Sequence, residues 1–352
     1  MDKIIEILSN YFDNEIINTG ENKIGHINST YAVELDNSEK YILQKINKFV
    51  FRHPKDVMHN IILCTDHIRA GLKFAGVDPT RRVLNVIKTK TGQYFHIDEA
   101  GDYWRVYDFI DNAKTYSECD DPKLFEKIGF AFGQFQEQLS DFDVSKLKET
   151  IPDFHNTPKR VLDFRNSLAL DKLRRTENAL EEIAFIDQNE HLSSYITDKL
   201  DNGAIPLRVT HNDTKINNIM IDNASGEPIC VIDLDTIMPG SELYDFGDAI
   251  RTGATTAAED EADLSKVNFR LDMYEAYVKG TMKALGDCIV VQEIEGLPYG
   301  AFLMTFECGV RFLADYLDGD IYFKTAYETH NLVRAKNQFK LCEDMKKVFD
   351  LK

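Results

Sequence analysis

Apolar positions in the first hundred residues alternate in short runs. Residues 29–35 and 40–45 each read as a strand, and the turn at Asp36-Asn37-Ser38 joins them into an antiparallel hairpin. Residues 1–12 carry Asp2, Lys3 and Glu6 inside an apolar pattern and read as an amphipathic helix. A second helix is expected from Pro54, a residue suited to a first turn, to about residue 72, with Val57, Ile61, Cys64 and Ile68 at helical spacing. Three more short strands are predicted over 83–88, 94–97 and 104–110. Beyond Asp111 the period changes. Ile128, Phe132, Phe135 and Leu139 fall on one helix face, and helical stretches are predicted at about 161–200, 266–285, 297–317 and 331–349. One β-rich island, 208–237, interrupts them. The pattern predicts an α/β (α+β) chain with a small antiparallel-sheet part, 1–110, and a mainly helical part, 111–352.

Composition then limits the function classes. At 352 residues, 43% hydrophobic and 28% charged, the chain has the profile of a folded globular protein. Its 41 Lys plus Arg against 59 Asp plus Glu give a net charge of −18, which repels phosphate backbones and anionic membranes. Small-molecule partners are therefore expected, not nucleic acid or a membrane. The six cysteines lie far apart without the spacing of a zinc site, which fits a reducing, cytoplasmic setting. Monomer and homodimer both stay open.

The island concentrates polar residues among apolar ones. Asp233 and Asp235 lie two apart in a strand-like run, so their carboxylates are expected to share a face. Burying such a pair requires a countercharge, and no Lys or Arg lies in that strand, which makes Mg²⁺ a candidate. A hairpin would bring Asn218 beside them. Asp213, in the loop before the hairpin, could accept a proton from a hydroxyl substrate, and Lys215 could steady a phosphoryl group in transit.

His211-x-Asp213-x-x-x-x-Asn218 followed by Ile232-Asp233-Leu234-Asp235 resembles the catalytic core of the aminoglycoside phosphotransferase and choline kinase family. The resemblance implies a two-lobed, protein-kinase-like fold and use of ATP and Mg²⁺. By it, Asp213 is the catalytic base, Lys215 matches the lysine of the kinase catalytic loop, Asn218 and Asp233 are Mg²⁺ ligands assisted by Asp235, and His211 is a scaffold residue. Asp245-Phe246-Gly247 spells the kinase magnesium tripeptide but lies too far along, so Asp245 and Asp248 are expected to pack beneath the catalytic loop. For the nucleotide, the turn Gly25-His26-Ile27-Asn28-Ser29 would cover the phosphates, Lys45 would pair with them, and Tyr107 and Phe109 would belong to the segment gripping adenine. Gly25 and Asn28 fit an ordinary hairpin turn equally well on spacing alone. The 54–72 helix has no Glu to pair with Lys45, so that ion pair is missing or replaced, with Asp66 as the candidate.

A closer resemblance, to the N-acetylhexosamine 1-kinase branch of that family, lies in residues 41–47, 104–110, 211–215, 232–240 and 311–323. It implies phosphorylation of a sugar's anomeric hydroxyl. Independently, Glu307, Arg311 and Asp315 recur at i, i+4 and i+8 on an otherwise apolar helix, a stripe able to bond ring hydroxyls, with Tyr322 and Tyr244 as stacking faces. A structural salt-bridge ladder is the equal alternative for that stripe. Other acceptors (an aminoglycoside, choline, another hexose) and a nucleotide-binding module without catalysis also stay open.

Overall fold

The computed structural model describes residues 2–22 and 27–351. Its contacts form two units, each with its own core. The first runs to Thr115 and also takes in Asp141–Ile151 and Ile219–Pro239. By their contacts those two later segments, which lie beyond the boundary expected at Asp111, cluster with this unit.

In this unit α1 (Asp2–Leu8) precedes β1 (Ile16–Asn22), β2 (Ser29–Leu35) and β3 (Lys40–Lys45). Then come α2 (Pro54–Phe74), β4 (Val86–Ile87), β5 (His96–Ile97), β6 (Tyr103–Asp108) and β7 (Ala113–Lys114). The antiparallel sheet has the order β1-β2-β3-β6-β4, with β5 also on β6. Strand alternation sorts its side chains. Val33, Leu35, Leu43, Trp104 and Val106 form one core with Ile7, Leu8 and Tyr11, on the face covered by α1. Register pairs Gln44 with Arg105 and Lys45 with Trp104, so Gln44 and Arg105 point to the opposite face. There Arg105 meets Met58 of α2.

Strand β8 (Arg208–Thr210) lies in the second unit, and β9 (Ile219–Asp222) and β10 (Pro228–Val231) form the island's hairpin in the first, extended by β7. The expected second arm is shorter than its sequence pattern. After Val231, Asp233 turns into the left-handed region (φ 59°) and a 3₁₀ turn, Leu234–Thr236, follows. Asp233 and Asp235 thus do not share a strand face: Asp233 is exposed and Asp235 buried.

The second unit is helical, with α3 (Pro122–Gln138), α4 (Thr157–Leu170), α5 (Leu180–Asn189), α6 (Tyr195–Asp201), α7 (Glu242–Gly253), α8 (Leu271–Leu285), α9 (Val291–Asp318) and α10 (His330–Phe349). The stretch expected at 161–200 is broken after Leu170. Asp171 adopts φ 32° there, and its carboxylate accepts the backbone N–H of Arg175. Helix α7, which was not among the expected helical stretches, buries Asp245, Asp248 and Arg251 together with its apolar residues.

Glycines let these helices touch backbone to backbone. A Cβ on Gly247 would lie 2.2 Å from the Gly300 carbonyl oxygen, so α7 crosses α9 at van der Waals limit. A Cβ on Gly280 of α8 would lie 1.9 Å from the Glu126 carbonyl oxygen of α3. Gly280→Ala must push α8 off α3, and we expect a loss of about 1–3 kcal/mol in urea unfolding. An unchanged midpoint would contradict this packing.

Candidate active site

The loop between β8 and β9 is built on buried carboxylates of α7. Asp245 Oδ2 accepts the His211 N–H at 2.8 Å and the Gln136 side-chain amide at 2.6 Å, while Oδ1 accepts the Asn212 N–H at 2.7 Å. Asp248 Oδ2 accepts the Thr214 N–H at 3.0 Å, and the Thr214 hydroxyl donates to the Asp245 carbonyl at 2.5 Å. Arg251 donates to the other Asp248 oxygen. Burial raises the Asp245 pKa, opposed by His211 and by its three donors. The His211 ring is fully buried, edge-on to Phe132 and Phe135 of α3. Asn212 takes φ 62°, a conformation asparagine tolerates, and so turns the chain to present Asp213.

Asp213 is partly buried and holds a local network. Lys215 Nζ lies 2.8 Å from Asp213 Oδ1. Asn218 Nδ2 donates to the Asp213 carbonyl at 2.8 Å and to Oδ2 at 3.0 Å. Both amide hydrogens are thereby used, which fixes the orientation of the amide and leaves its oxygen as the end available to a cation. Burial would raise the Asp213 pKa, but Lys215, His211 and Asn218 together hold it below the usual carboxylate range. The Asp213 charge in turn raises Lys215. Because the Asp213 pKa is depressed, the ion pair is intact at neutral pH and is lost only as pH falls below the ordinary carboxylate value of ~3.9.

A second cluster lies on the sheet of the first unit. Arg105, almost wholly buried, donates through Nε and Nη2 to Gln44 Oε1 at 3.1 and 2.7 Å and forms an ion pair with Asp235. Asn28 Nδ2 donates to the other Asp235 oxygen at 2.5 Å, and Asn28 Oδ1 accepts the Asn47 N–H at 3.0 Å. The countercharge that the sequence of the hairpin lacks therefore comes from β6. Asp235, expected to assist a metal, is thus ion-paired to Arg105 through one oxygen and hydrogen-bonded by Asn28 at the other.

The partner of Lys45 is not the Asp66 suggested from the sequence. Lys45 pairs with Asp102 at 2.6 Å, beside Lys48 at 2.8 Å, whereas Asp66 pairs with Arg69 at 3.3 Å. Hydrogen bonds from Lys45 and Lys48 lower the Asp102 pKa. Register sets Lys45 on the Trp104 face, opposite Arg105 and Asp235, so it does not share their side of the sheet. Tyr107 does share it. Its ring lies 5.0 Å from the Arg105 guanidinium, and its buried hydroxyl has no hydrogen-bond partner. Phe109 and Ser29 are exposed, and Gly25 lies outside the described residues.

The polar stripe on α9 divides. Glu307 accepts from Thr157 at 2.8 Å and contacts His155 Nδ1 at 3.0 Å. Asp315 accepts the N–H groups of Ile321, Tyr322 and Phe323 and the Asn331 amide, which holds the loop bearing Tyr322 and leaves Asp315 no capacity as a ligand group. Tyr244 is buried 5.2 Å from the His155 ring and offers no open stacking face. Arg311 is different. It has no carboxylate within ion-pair distance among the described residues and sits 5.6–6.0 Å from the rings of Phe154, Tyr322 and Phe323. Burial, and then the Arg311 charge, lower the pKa of Arg160. Sequence reading missed Arg105, Asp102 and His155, because their partners lie far away in the chain, and it also missed Arg160.

A model of the APH phosphotransferase enzyme family matches residues 21–277, well over half of the chain. The chain belongs to that family. Among solved structures, the microcompartment-associated aminopropanol kinase is 17% identical, with a TM-score of 0.65 over 100% of this chain and 99% of that one. An amicoumacin kinase solved with AMP-PNP and Ca²⁺ is 15% identical, with a TM-score of 0.62 over 96% and 92%. Choline kinase from Cryptosporidium parvum Iowa II is 14% identical, with a TM-score of 0.61 over 99% and 96%. The fold is the protein-kinase-like one shared with these structures, and membership of the family makes the chain a phosphotransferase. No helix among the described residues is long and apolar enough to cross a membrane.

Among the described residues no group of three or more His, Cys, Asp or Glu side chains is placed to hold a metal ion. Mg²⁺ in a phosphoryl-transfer site needs no such group, since one or two protein oxygens with phosphate and water complete its shell. Taken separately, the amide oxygen of Asn218 in the second unit and the carboxylate of the exposed Asp233 in the first are each a hard donor of that kind.

Asp245→Asn replaces an acceptor of two backbone N–H groups by an amide that can accept at only one end. Leaving a buried N–H unpaired costs about 1–3 kcal/mol, roughly a 10- to 100-fold effect. We expect amide exchange at His211 or Asn212 to accelerate by that factor. Unchanged protection at both would contradict the anchoring role.

Proposed function

We propose that this phosphotransferase moves the γ-phosphate of ATP to the anomeric hydroxyl of an N-acetylhexosamine and releases the sugar 1-phosphate. The observation that carries the chemistry is the ionised Asp213 held between Lys215 and Asn218 on a loop pinned by Asp245 and Asp248. Asp213 orients the acceptor hydroxyl and takes its proton as the new O–P bond forms. Lys215 stabilises negative charge on the transferred group, and the anchored loop supplies the positioning on which phosphoryl transfer mainly depends. Asn218 and Asp233 would hold Mg²⁺, which supplies charge neutralisation on the phosphate oxygens. Asn28 and the residues around Tyr107 lie on the sheet face of Asp235, which supports placing the nucleotide on that face.

The acceptor class rests on Arg311 and Tyr322, together with the sequence resemblance of residues 311–323. The guanidinium of Arg311, beside that of Arg160 and with Glu307 near both, suits a neutral sugar whose hydroxyl and acetamido oxygens accept hydrogen bonds. ADP release measured across N-acetylglucosamine, N-acetylgalactosamine, glucose, choline and an aminoglycoside separates these readings. Turnover only with the cationic acceptors would overturn the sugar reading, and no acceptor-dependent turnover would favour an inactive module.

Two variants test the roles. Asp213→Asn is expected to lower kcat by about 10²–10⁴ with nucleotide affinity retained, and near-normal kcat would refute the base. Arg311→Met is expected to raise the acceptor KM about tenfold without changing the KM for ATP. An equal rise in both would place Arg311 outside the acceptor site.

A further inference from the structure

The turn after β10 is held from three elements at once. Arg105 of β6 pairs with Asp235, Asn28 ahead of β2 donates to the same carboxylate, and Asn60 of α2 donates to the Ile237 carbonyl at 2.8 Å and to the Lys148 carbonyl at 2.7 Å. At the start of this turn Asp233 keeps a left-handed backbone, φ 59°, that a non-glycine residue holds only where its surroundings impose it. The remaining donors of Arg105 go to Gln44 and to the Met58 sulfur, so the guanidinium is committed within the protein and does not reach out to a ligand.

Helix α2 contains no Glu that could join Lys45, and Lys45 itself lies on the other sheet face. The connection that such an ion pair would make between helix, sheet and metal-binding turn is made instead by Asn60 and by Arg105 with Asp235. We propose that Arg105 and Asp235 are a positioning pair that aims Asp233 and, through Asn28, couples its turn to the turn before β2. This rests on reading Asp233 as a metal ligand. Asp235, placed two residues after that ligand, is then a strut and not a second ligand.

The test uses the full chain in three forms: wild type, Arg105→Met with Asp235→Leu, and Arg105→Lys. A buried ion pair replaced by apolar residues often leaves folding intact, and lysine keeps the charge but loses the fork that reaches Gln44 and Asp235 together. Amide exchange is measured first, without metal or nucleotide. Residues 232–237 and 27–31 are expected to exchange at least tenfold faster in both variants, with α3 unchanged. Acceleration throughout the chain would mean general destabilisation and would overturn the proposal, as would wild-type protection of both segments. Mn²⁺ binding in the presence of AMP-PNP is then followed by electron paramagnetic resonance. The apparent Mn²⁺ affinity is expected to fall at least tenfold, while AMP-PNP affinity without metal stays within twofold. Wild-type Mn²⁺ affinity in both variants overturns the positioning role. Failure of the wild type to bind Mn²⁺ with AMP-PNP would sink the metal-ligand reading of Asp233 and leave the exchange result to decide the coupling. If the double variant does not fold, Arg105→Lys carries the same measurements.

Discussion

A carboxylate taken out of water must be met by donors or by a cation, and this chain uses that requirement to place its loops. Asp245 and Asp248 gather backbone N–H groups of the loop that presents Asp213. Asp315 gathers three successive N–H groups of the loop that presents Tyr322. Asp235 collects Arg105 and Asn28 at the turn that presents Asp233. In each case a buried acidic group fixes a neighbouring exposed or partly exposed one. The close crossing of α7 and α9 at Gly247 and Gly300 fixes the helix that carries two of these anchors.

The same division explains what the sequence revealed. Strands β2 and β3 were legible because their alternation and turn are local, and α2 because Pro54 and the spacing behind it are local. The loop from His211 to Asn218 was legible because its residues stand close together in the chain. Arg105 was not, since its partner Asp235 lies on a distant segment. Strand periodicity also misread Asp233 and Asp235, because apolar neighbours on both sides of a 3₁₀ turn imitate a buried strand. Helix α7 was missed although its apolar spacing is amphipathic, because Asp245, Phe246 and Gly247 stood out as a motif and not as part of a helix.

Asp245 and Asp248, expected to pack beneath the catalytic loop, are bound to protein donors, as are Asp235 and Asp315, while Asp213 is held ionised by a lysine and an amide. The acceptor side follows the opposite logic. On a chain of net charge −18, Arg311 lies beside aromatic rings with no carboxylate at ion-pair distance among the described residues, and it favours an acceptor rich in oxygen. Fold similarity at 14–17% identity to kinases with chemically different named substrates leaves the acceptor to be argued from such side chains.

The most direct measurement is the phosphorus–proton correlation spectrum of the product formed from ATP, Mg²⁺ and N-acetylglucosamine or N-acetylgalactosamine. The account predicts a phosphate resonance coupled to the anomeric proton of the sugar. A phosphate coupled to the C6 methylene protons, or no phosphorylated sugar from either epimer, would contradict it.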